Sequence, residues 1–430
     1  MTTSLLINRV PFTRHFYSVD EVHAALQYSS HRQEHQQTLF WCKELLCSGF
    51  VSETISTLFE SWIWHRGPVH LEWFIFAWKN LGGEEVTEDA ILLSAQQLSR
   101  CCKRDYSLWN ILVLTLDDTI PDHVTPKSPN VFPSVDPVEQ YFIRAVYQGK
   151  ARCAWWISRK MGVDRVWELL EWFTKHIQYA SIDGSASIDS TASIVLNSLQ
   201  NYDKLLGYRS EEYDIVISCL AIISICTLCN TKSLIKTINM TSLDHKTLEK
   251  WDTKEGYMER RLYSIPSTCL YGVTYRGNLP WSQHNRGALD CVENGFAGCP
   301  FWERVVCEYA RGVVAPIPWV SGDSMEAFYN EYFPDDIPDE WTMKEKQKSH
   351  GDGVLGPSEN STLLKYSKIH MSGLSRLAWN TTDIVHRILA NISNSECHPS
   401  AIVRLFTTPC PVILSELIPK RKHFRISVLS

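Results

Sequence analysis

Over the first 118 residues, apolar and polar positions alternate with the spacing of amphipathic helices. Leu39, Cys42 and Leu46 recur at i, i+3 and i+7, which places their side chains on one face of a helix. Gly49 follows this run and suits the left-handed residue that often ends a helix. The next helix is predicted from near Ser52 to Gly67-Pro68. Its apolar face is made of Ile55, Leu58, Phe59, Trp62 and Ile63. The pattern predicts consecutive helices joined by short turns.

A second passage shows the same order of elements. In each passage a helix is followed by an aromatic-bearing helix, a glycine and a helix that carries tryptophan. The corresponding positions are Ala24, Trp41, Gly49 and Trp62 in the first passage and Ala145, Trp155, Gly162 and Trp167 in the second. Repeated units of this kind stack so that each covers the apolar face of its neighbour. The sequence therefore predicts an all-α protein of stacked antiparallel helical hairpins.

Proline and glycine divide the chain into five consecutive predicted segments. They are a helical-hairpin domain over 1–118, a proline-rich linker over 119–137, a second helical-hairpin domain over 138–260, a long irregular segment over 261–357 rich in Pro, Gly and aromatic residues, and a C-terminal helix with a basic tail over 358–430. Small polar residues over 180–194 predict a surface loop. The apolar run over 215–229 is shorter than the roughly 20 residues of a spanning helix and predicts a buried core helix.

Composition narrows the class of protein. Sixteen Trp, 17 Tyr and 16 Phe supply far more burial than a disordered chain has. A formal net charge of −6 argues against nucleic acid as the dominant partner. Residues 1–12 lack the apolar core of a secretion signal, so we expect an intracellular protein whose 14 cysteines stay reduced and act as small buried hydrophobes.

His31, Glu34 and His35 match the H-x-x-E-H pattern of inverted zinc hydrolases. In that chemistry both histidines lie on one helix face and hold Zn²⁺, while the glutamate activates a water molecule. The alternative is a polar break between the first two helices, which the flanking Ser and Gln residues favour. We prefer the polar break and keep the zinc hydrolase as an alternative.

Two further patterns suggest cofactor chemistry. Gly351–Gly356 matches G-x-G-x-x-G, but no buried strand leads into it, as a dinucleotide loop requires. Cys269, His284, Cys291, Cys299 and Cys307 crowd the irregular segment, although their spacing is wider than the C-x₂₋₄-C pairs of structural zinc sites. Whether the Cys269–Cys307 region holds a metal stays open at this point. No cofactor is expected.

Charged clusters near the C-terminal end are candidate interaction sites. The acidic one contains Asp335, Asp336 and Asp339, with Trp341 beside them. Its carboxylates could bind a cation through oxygen ligands or start a helix. The basic one contains Lys420, Arg421, Lys422 and Arg425, and suits an acidic partner or a solvated tail.

Three strings in the second half of the chain resemble uncharacterised proteins of nucleocytoplasmic large DNA viruses. They are Ile265–Gly277, which contains Cys-Leu-Tyr-Gly-Val-Thr-Tyr-Arg-Gly, Glu326–Trp341, and Glu345–Gly351. With the N-terminal hairpins the resemblance covers most of the chain. That family carries no assigned chemistry, so the resemblance implies a viral protein and no catalytic residues.

Thr38–Leu46 and Ala154–Trp156 are similar to the helical collar of clamp-loader and replication-associated recombination ATPases. In that family the collar oligomerises while nucleotide chemistry sits in a separate AAA+ module. This chain has no G-x-x-x-x-G-K-[ST] phosphate loop. The resemblance therefore implies only a role in assembly.

Together these observations predict a non-catalytic protein-interaction scaffold of a large DNA virus, acting in genome replication or recombination. An internal virion or minor capsid protein is the alternative, and the zinc hydrolase is a third reading. The expected partners are viral replication or virion proteins or further copies of this chain, without a membrane. The expected location is inside the infected host cell or in the virion.

Overall fold

The computed structural model describes residues 11–15, 17, 19–103, 105, 107–114, 124–126, 129, 132–176, 188–209, 211–230, 238, 242–251, 295–314 and 316–332. Of these residues 71% are helical and 1% extended, and no sheet forms among them, which confirms the all-α prediction. The helices are α1 (Val19–Arg32), α2 (His35–Cys47), α3 (Val51–His65), α4 (Leu71–Leu81), α5 (Glu88–Arg100), α6 (Ser107–Leu114), α7 (Pro137–Tyr147), α8 (Ala151–Ser158), α9 (Val163–His176), α10 (Ile188–Gln200), α11 (Asp203–Leu206), α12 (Glu211–Asn230), α13 (His245–Lys250), α14 (Pro300–Cys307) and α15 (Gly322–Tyr332). A 3₁₀ turn, Gly67–His70, precedes α4.

The chain divides into two compact units that interleave along the sequence. The first unit takes Met1–Leu58, Thr87–Arg100 and Thr241–Trp379, and the second takes the stretches between and after them. The boundary between Leu58 and Phe59 falls inside α3. The consecutive segments predicted from proline and glycine stay a prediction, because those residues mark breaks in the chain and carry no information on which stretches pack together. The predicted C-terminal helix and basic tail over 358–430 lie outside the described residues.

The first unit is built on the α1–α2 hairpin, and α5 packs against both of its helices. Buried aromatic side chains of α2, Phe40 and Trp41, meet edge to face at 4.9 Å between ring centroids. The segment after residue 295 adds its own aromatic cluster, in which Trp302 stacks on Phe296 at 4.7 Å. An isolated antiparallel bridge joins Ala310 to Trp319 between α14 and α15.

Glu44 of α2 holds the segment that precedes α1. Its Oε1 accepts the backbone N–H of His15 at 3.0 Å, and its Oε2 lies 2.5 Å from His15 Nδ1, with both side chains only 2% exposed. Burial alone would raise the pKa of Glu44, but the hydrogen bonds and charge of His15 and the hydrogen bond from Thr13 bring that pKa below its usual range. Glu44 is therefore a carboxylate whose charge is compensated only in the folded chain.

Ser48, one turn after Glu44 on α2, completes the junction between α2 and the segment that precedes α1. Its hydroxyl accepts the backbone N–H of Arg14 at 2.8 Å, and its carbonyl accepts the backbone N–H of Phe301 at 3.1 Å. Trp302 donates its indole N–H to the carbonyl of Thr13 at 3.0 Å. The segment 11–17, the end of α2 and the start of α14 thus share one set of hydrogen bonds.

The second unit forms around α12, which contacts α6, α7, α8, α9 and α10. Nearly every α12 side chain from Val216 to Cys226 is buried, which confirms the core helix predicted over 215–229. Among the described residues no helix is long and apolar enough to cross a membrane. Encirclement by other helices explains the apolar composition of α12.

One local prediction is wrong in part. The loop predicted over 180–194 does not extend over 188–194, because α10 begins at Ile188 and its buried Ala192 and Val195 belong to an apolar face that packs toward α12. Residues 180–187 lie outside the described residues. The small residues of α10 favour close helix contact as readily as they favour a loop.

The first turn of each predicted hairpin has the same backbone geometry. Gln33 has a φ of 64° and Gly149 a φ of 65°. At both turns the left-handed residue and its successor donate to carbonyls three and five residues back: Gln33 to Ser30 and Glu34 to Ser29, and Gly149 to Val146 and Lys150 to Ala145. This is the paired helix-ending motif in which glycine is usually preferred. Gln33 occupies it at a steric cost that Gly149 avoids.

We predict that Gln33→Gly raises the free energy of unfolding by about 0.5–1 kcal/mol, because it relieves the left-handed strain of an exposed side chain. Urea titration of the full chain measures the change. Gly149→Ala is the matched control and should lower stability by about 1 kcal/mol. A loss of stability in Gln33→Gly would contradict this interpretation of the turn.

We predict that Glu44→Ala lowers the free energy of unfolding by about 3–5 kcal/mol, because it leaves the buried donors of His15 without their acceptor. Since the folded-state pKa of Glu44 is below its ordinary value of about 4.3, its stabilising contribution is complete above that pH and is lost as the pH falls through the folded pKa. Urea titrations at neutral pH and across the acid range measure both effects.

Glu53→Ala, at an exposed position of α3, serves as the control and should change stability by less than about 0.5 kcal/mol. Equal stability of Glu44→Ala and Glu53→Ala would show that the junction is not held by this carboxylate.

Candidate functional site

The structure separates the residues of the H-x-x-E-H pattern. His31 belongs to the last turn of α1 and His35 begins α2, with left-handed Gln33 between them. Arg32 Nε donates to Glu34 Oε1 at 3.0 Å, and His35 Nδ1 lies 2.8 Å from Ser99 Oγ. Burial and the charge of Arg100 lower the pKa of His35. The pattern marks a polar break between two helices and lacks the single helix face that zinc chemistry needs.

Most of the described cysteines are buried among other side chains, as expected, whereas Cys102 and Cys307 are exposed. Burial raises the pKa of Cys219 and Cys226 well above the usual range, and raises that of Cys101 to about 12. A thiol held protonated is a poor nucleophile and a poor metal ligand. Within the described ranges no group of three or more His, Cys, Asp or Glu side chains could hold a metal ion.

Part of the predicted cysteine cluster can be placed. Cys299 is buried at the start of α14, where its thiol donates to the Ser48 carbonyl at 3.5 Å, and Cys307 is exposed at the end of that helix. Cys269, His284 and Cys291 lie outside the described residues. So do Gly351–Gly356 and both charged interaction candidates, with Asp335, Asp336, Asp339, Trp341, Lys420, Arg421, Lys422 and Arg425.

A groove of about 390 Å³ lies within the second unit, between α9 and the α10–α12 stretch. We call it the α9 groove. Its lining residues are Val163, Asp164, Trp167, Glu168, Glu171, Leu199, Gln200, Tyr202, Arg209, Asp214 and Ile217. The volume is at the small end of the range for ligand pockets, enough for one or two side chains of a partner.

The amphipathic pattern of α9 explains why Trp167 reaches the groove. Val166, Leu169, Leu170 and Phe173 form the buried stripe of this helix. Trp167 falls outside that stripe and is half-buried. Val163, one turn before it, also lines the groove and is 41% exposed. An indole ring of that size kept partly in water is typical of binding sites.

Carboxylates dominate the charge of the α9 groove, and two of them have partners. Arg165 Nη1 donates to Glu168 Oε2 at 2.6 Å. Gln200 Nε2 donates to Glu171 Oε1 at 3.0 Å, and Lys175 lies 3.5 Å from that carboxylate. Glu168 and Glu171 are therefore partly neutralised at the rim.

The other two carboxylates, Asp164 and Asp214, lie on opposite walls in the first turns of α9 and α12. Among the described residues neither side chain makes a hydrogen bond or an ion pair. The groove also holds one cation, Arg209, whose guanidinium lies 5.2 Å from the centre of the Tyr202 ring and pairs with the Asp203 carboxylate at 3.5 Å. Two carboxylates without a described partner therefore line the same groove as the half-buried Trp167.

Two contacts within the second unit fix the walls of the groove. Arg165 bridges α9 to α7 through a bidentate pair with Glu139, at 2.6 and 2.8 Å, and these hydrogen bonds lower the pKa of Glu139. On the opposite wall, Tyr202 stacks on Tyr213, whose hydroxyl donates to Glu60 Oε1 at 2.9 Å. The groove is thus preformed, which lowers the entropic cost of binding.

Neither the composition nor the motifs of the sequence predict the α9 groove. A detectable signal is present in α9, where Val163, Trp167 and Glu171 share a face that misses the buried stripe. The opposite wall leaves no such signal, since it depends on how α10, α11 and α12 turn back on one another. The site therefore becomes visible only in three dimensions.

We predict that Tyr213→Phe lowers the free energy of unfolding by about 1–3 kcal/mol, because Glu60 loses its donor in a largely enclosed place. Burial raises the pKa of Glu60 even with this hydrogen bond, which lowers it. Removal of the donor should raise that pKa further. The destabilisation should therefore be largest at neutral pH and shrink as the pH falls below the folded pKa of Glu60.

Urea titrations of the wild type and of Tyr213→Phe over the range from acid to neutral pH check this. Tyr309→Phe, which removes a hydroxyl bonded to exposed Glu331, is the control and should have a small effect. A pH-independent loss in Tyr213→Phe would show that packing, and not the Glu60 carboxyl, accounts for the change.

Searches against protein-family models, curated proteins and solved structures give no match to the chain. The function has to be inferred from the residues themselves, and above all from the α9 groove.

Proposed function

We propose that this protein is a non-catalytic interaction scaffold of a large DNA virus that binds protein partners during genome replication or recombination. The α9 groove is the observation that carries the proposal, because it combines a half-buried tryptophan with two carboxylates that have no partner among the described residues, in a preformed cleft. Such an anchor with polar surroundings is the usual composition of a protein-binding hot spot.

The polar residues that could suggest catalysis support this proposal through the roles they take instead. His35 and Glu34 contact Ser99 and Arg32, so they brace the turn between α1 and α2. Glu44, the most enclosed carboxylate of α2, is engaged by His15 within the fold. These side chains act as structural groups.

The viral and replication parts of the proposal rest on sequence resemblance. Ile265–Gly277, Glu326–Trp341 and Glu345–Gly351 resemble uncharacterised proteins of large DNA viruses. The strings around Trp41 and Trp155 resemble the helical collar of clamp-loader ATPases, which serves assembly. Fold analogy alone is a weak basis for function, so a direct test is needed.

We predict that the full chain, affinity-purified from infected cells, brings down the viral sliding clamp or DNA polymerase, and that Trp167→Ala weakens this capture at least about tenfold. Removal of an interface tryptophan typically has an effect of this size. Quantitative mass spectrometry of the purified complexes measures it. Trp172→Ala is the matched control, since Trp172 is also half-buried on α9 but stacks on His176 away from the groove.

Capture of replication proteins that is equal in both variants would show that the groove is not the interface. Absence of replication proteins, combined with high copy number in purified virions, would overturn the replication role and favour the internal virion protein.

A further inference from the structure

The half-buried tryptophans of the second unit differ in whether a nitrogen-bearing side chain lies over the ring, and this difference points to the ligand of the α9 groove. Three of its half-buried tryptophans are covered by a nitrogen-bearing side chain. Lys160 Nζ lies 4.6 Å from the centre of the Trp156 ring, Lys204 Nζ lies 5.9 Å from that of Trp78, and His176 stacks on Trp172 at 4.9 Å. In the described part of this unit, Trp167 has no such cover.

We infer that the uncovered face of Trp167 receives an arginine side chain from an extended segment of a partner protein; this inference rests on the proposed scaffold function. A cation over an indole ring is the strongest of the cation–π pairs that proteins form. The groove volume of about 390 Å³ accommodates one or two side chains, which suits an extended segment. It is too small for a whole helix, whose diameter is about 10 Å.

Charge complementarity selects the sign of the occupant. Four carboxylates and one guanidinium line the groove. Arg165 and Lys175 neutralise Glu168 and Glu171 from the rim, while Asp164 and Asp214 line the same groove as Trp167. Among the described residues neither of these two carboxylates has a partner, and an incoming cation would supply one.

The groove already shows how it accommodates this chemistry. The Arg209 guanidinium lies 5.2 Å from the centre of the Tyr202 ring, donates to the carbonyl of Gln200, and pairs with Asp203. A guanidinium can stack on a ring and bond to oxygen atoms in its own plane at the same time, whereas an ammonium cannot. Arginine is therefore preferred to lysine as the residue that occupies the Trp167 side.

The test measures binding of labelled peptides to the full chain by fluorescence anisotropy. The probe is a fluorescein-labelled octapeptide of Gly and Ser with two central arginines, and its counterparts replace both arginines by citrulline, lysine or glutamate. Citrulline keeps the shape of arginine and removes its charge. We expect the arginine peptide to bind at least about tenfold more tightly than the citrulline peptide, with lysine between them, and to weaken as salt rises.

Protein variants then assign the binding to the groove. Asp164→Asn combined with Asp214→Asn should weaken the arginine peptide about tenfold, and Trp167→Ala should do the same. The control pair, Asp89→Asn with Asp323→Asn, changes the net charge equally at exposed first-turn positions of α5 and α15 and should leave binding unchanged. Circular dichroism and melting temperature confirm that each variant folds.

The inference is overturned if no peptide binds, if citrulline binds as well as arginine, or if both double variants lose binding equally. Its failure can be told apart from failure of the scaffold function. If the double variant Asp164→Asn, Asp214→Asn still captures the partner from infected cells while Trp167→Ala does not, the groove is the interface and the cationic occupant is wrong. If arginine binds in the groove but no replication partner is captured, the replication role fails alone.

Discussion

The buried carboxylate of Glu44 is the constraint on which the first unit depends. A charge of this kind is stable only if every lone pair finds a donor, and removal of one partner of a buried pair is far more costly than loss of a surface contact. The donors come from residues 13–15, ahead of α1. One turn along α2, Ser48 binds both this segment and the start of α14. Polar satisfaction at one end of α2 therefore dictates which distant stretches join the unit.

The second unit is organised differently, around an apolar helix. α12 needs no polar anchor, because burial of its aliphatic side chains supplies the driving force at roughly 25 cal/mol per Å². Polar contacts join elements of this unit elsewhere: Arg165 joins α7 to α9, and Tyr213, in the first turn of α12, meets Glu60. The α9 groove lies beside these polar contacts, where side chains can be exposed without loss to the core.

Prediction from sequence succeeded where short-range periodicity decides the structure. Gly49 follows the end of α2 in the predicted left-handed conformation, with a φ of 91°. The predicted apolar face of α3 is buried. It failed at α10, because small residues are compatible with both a loop and a tight helix contact. The sequence did not predict the α9 groove, since Asp214 and Trp167 line one cleft only after the chain has turned back between α9 and α12. The same limit applies to Glu44, whose partner His15 gives no local sign of the pairing.

The hydrogen bond between Trp302 and Thr13 joins residues that are 289 positions apart. Contacts of such long range must wait for the loop between them to close, and they slow folding. During synthesis on the ribosome, the second unit has all the residues of its described helices before Trp302 emerges from the exit tunnel. The N-terminal stretch, although made first, therefore gains its contacts with α14 only after the described helices of the second unit have been synthesised.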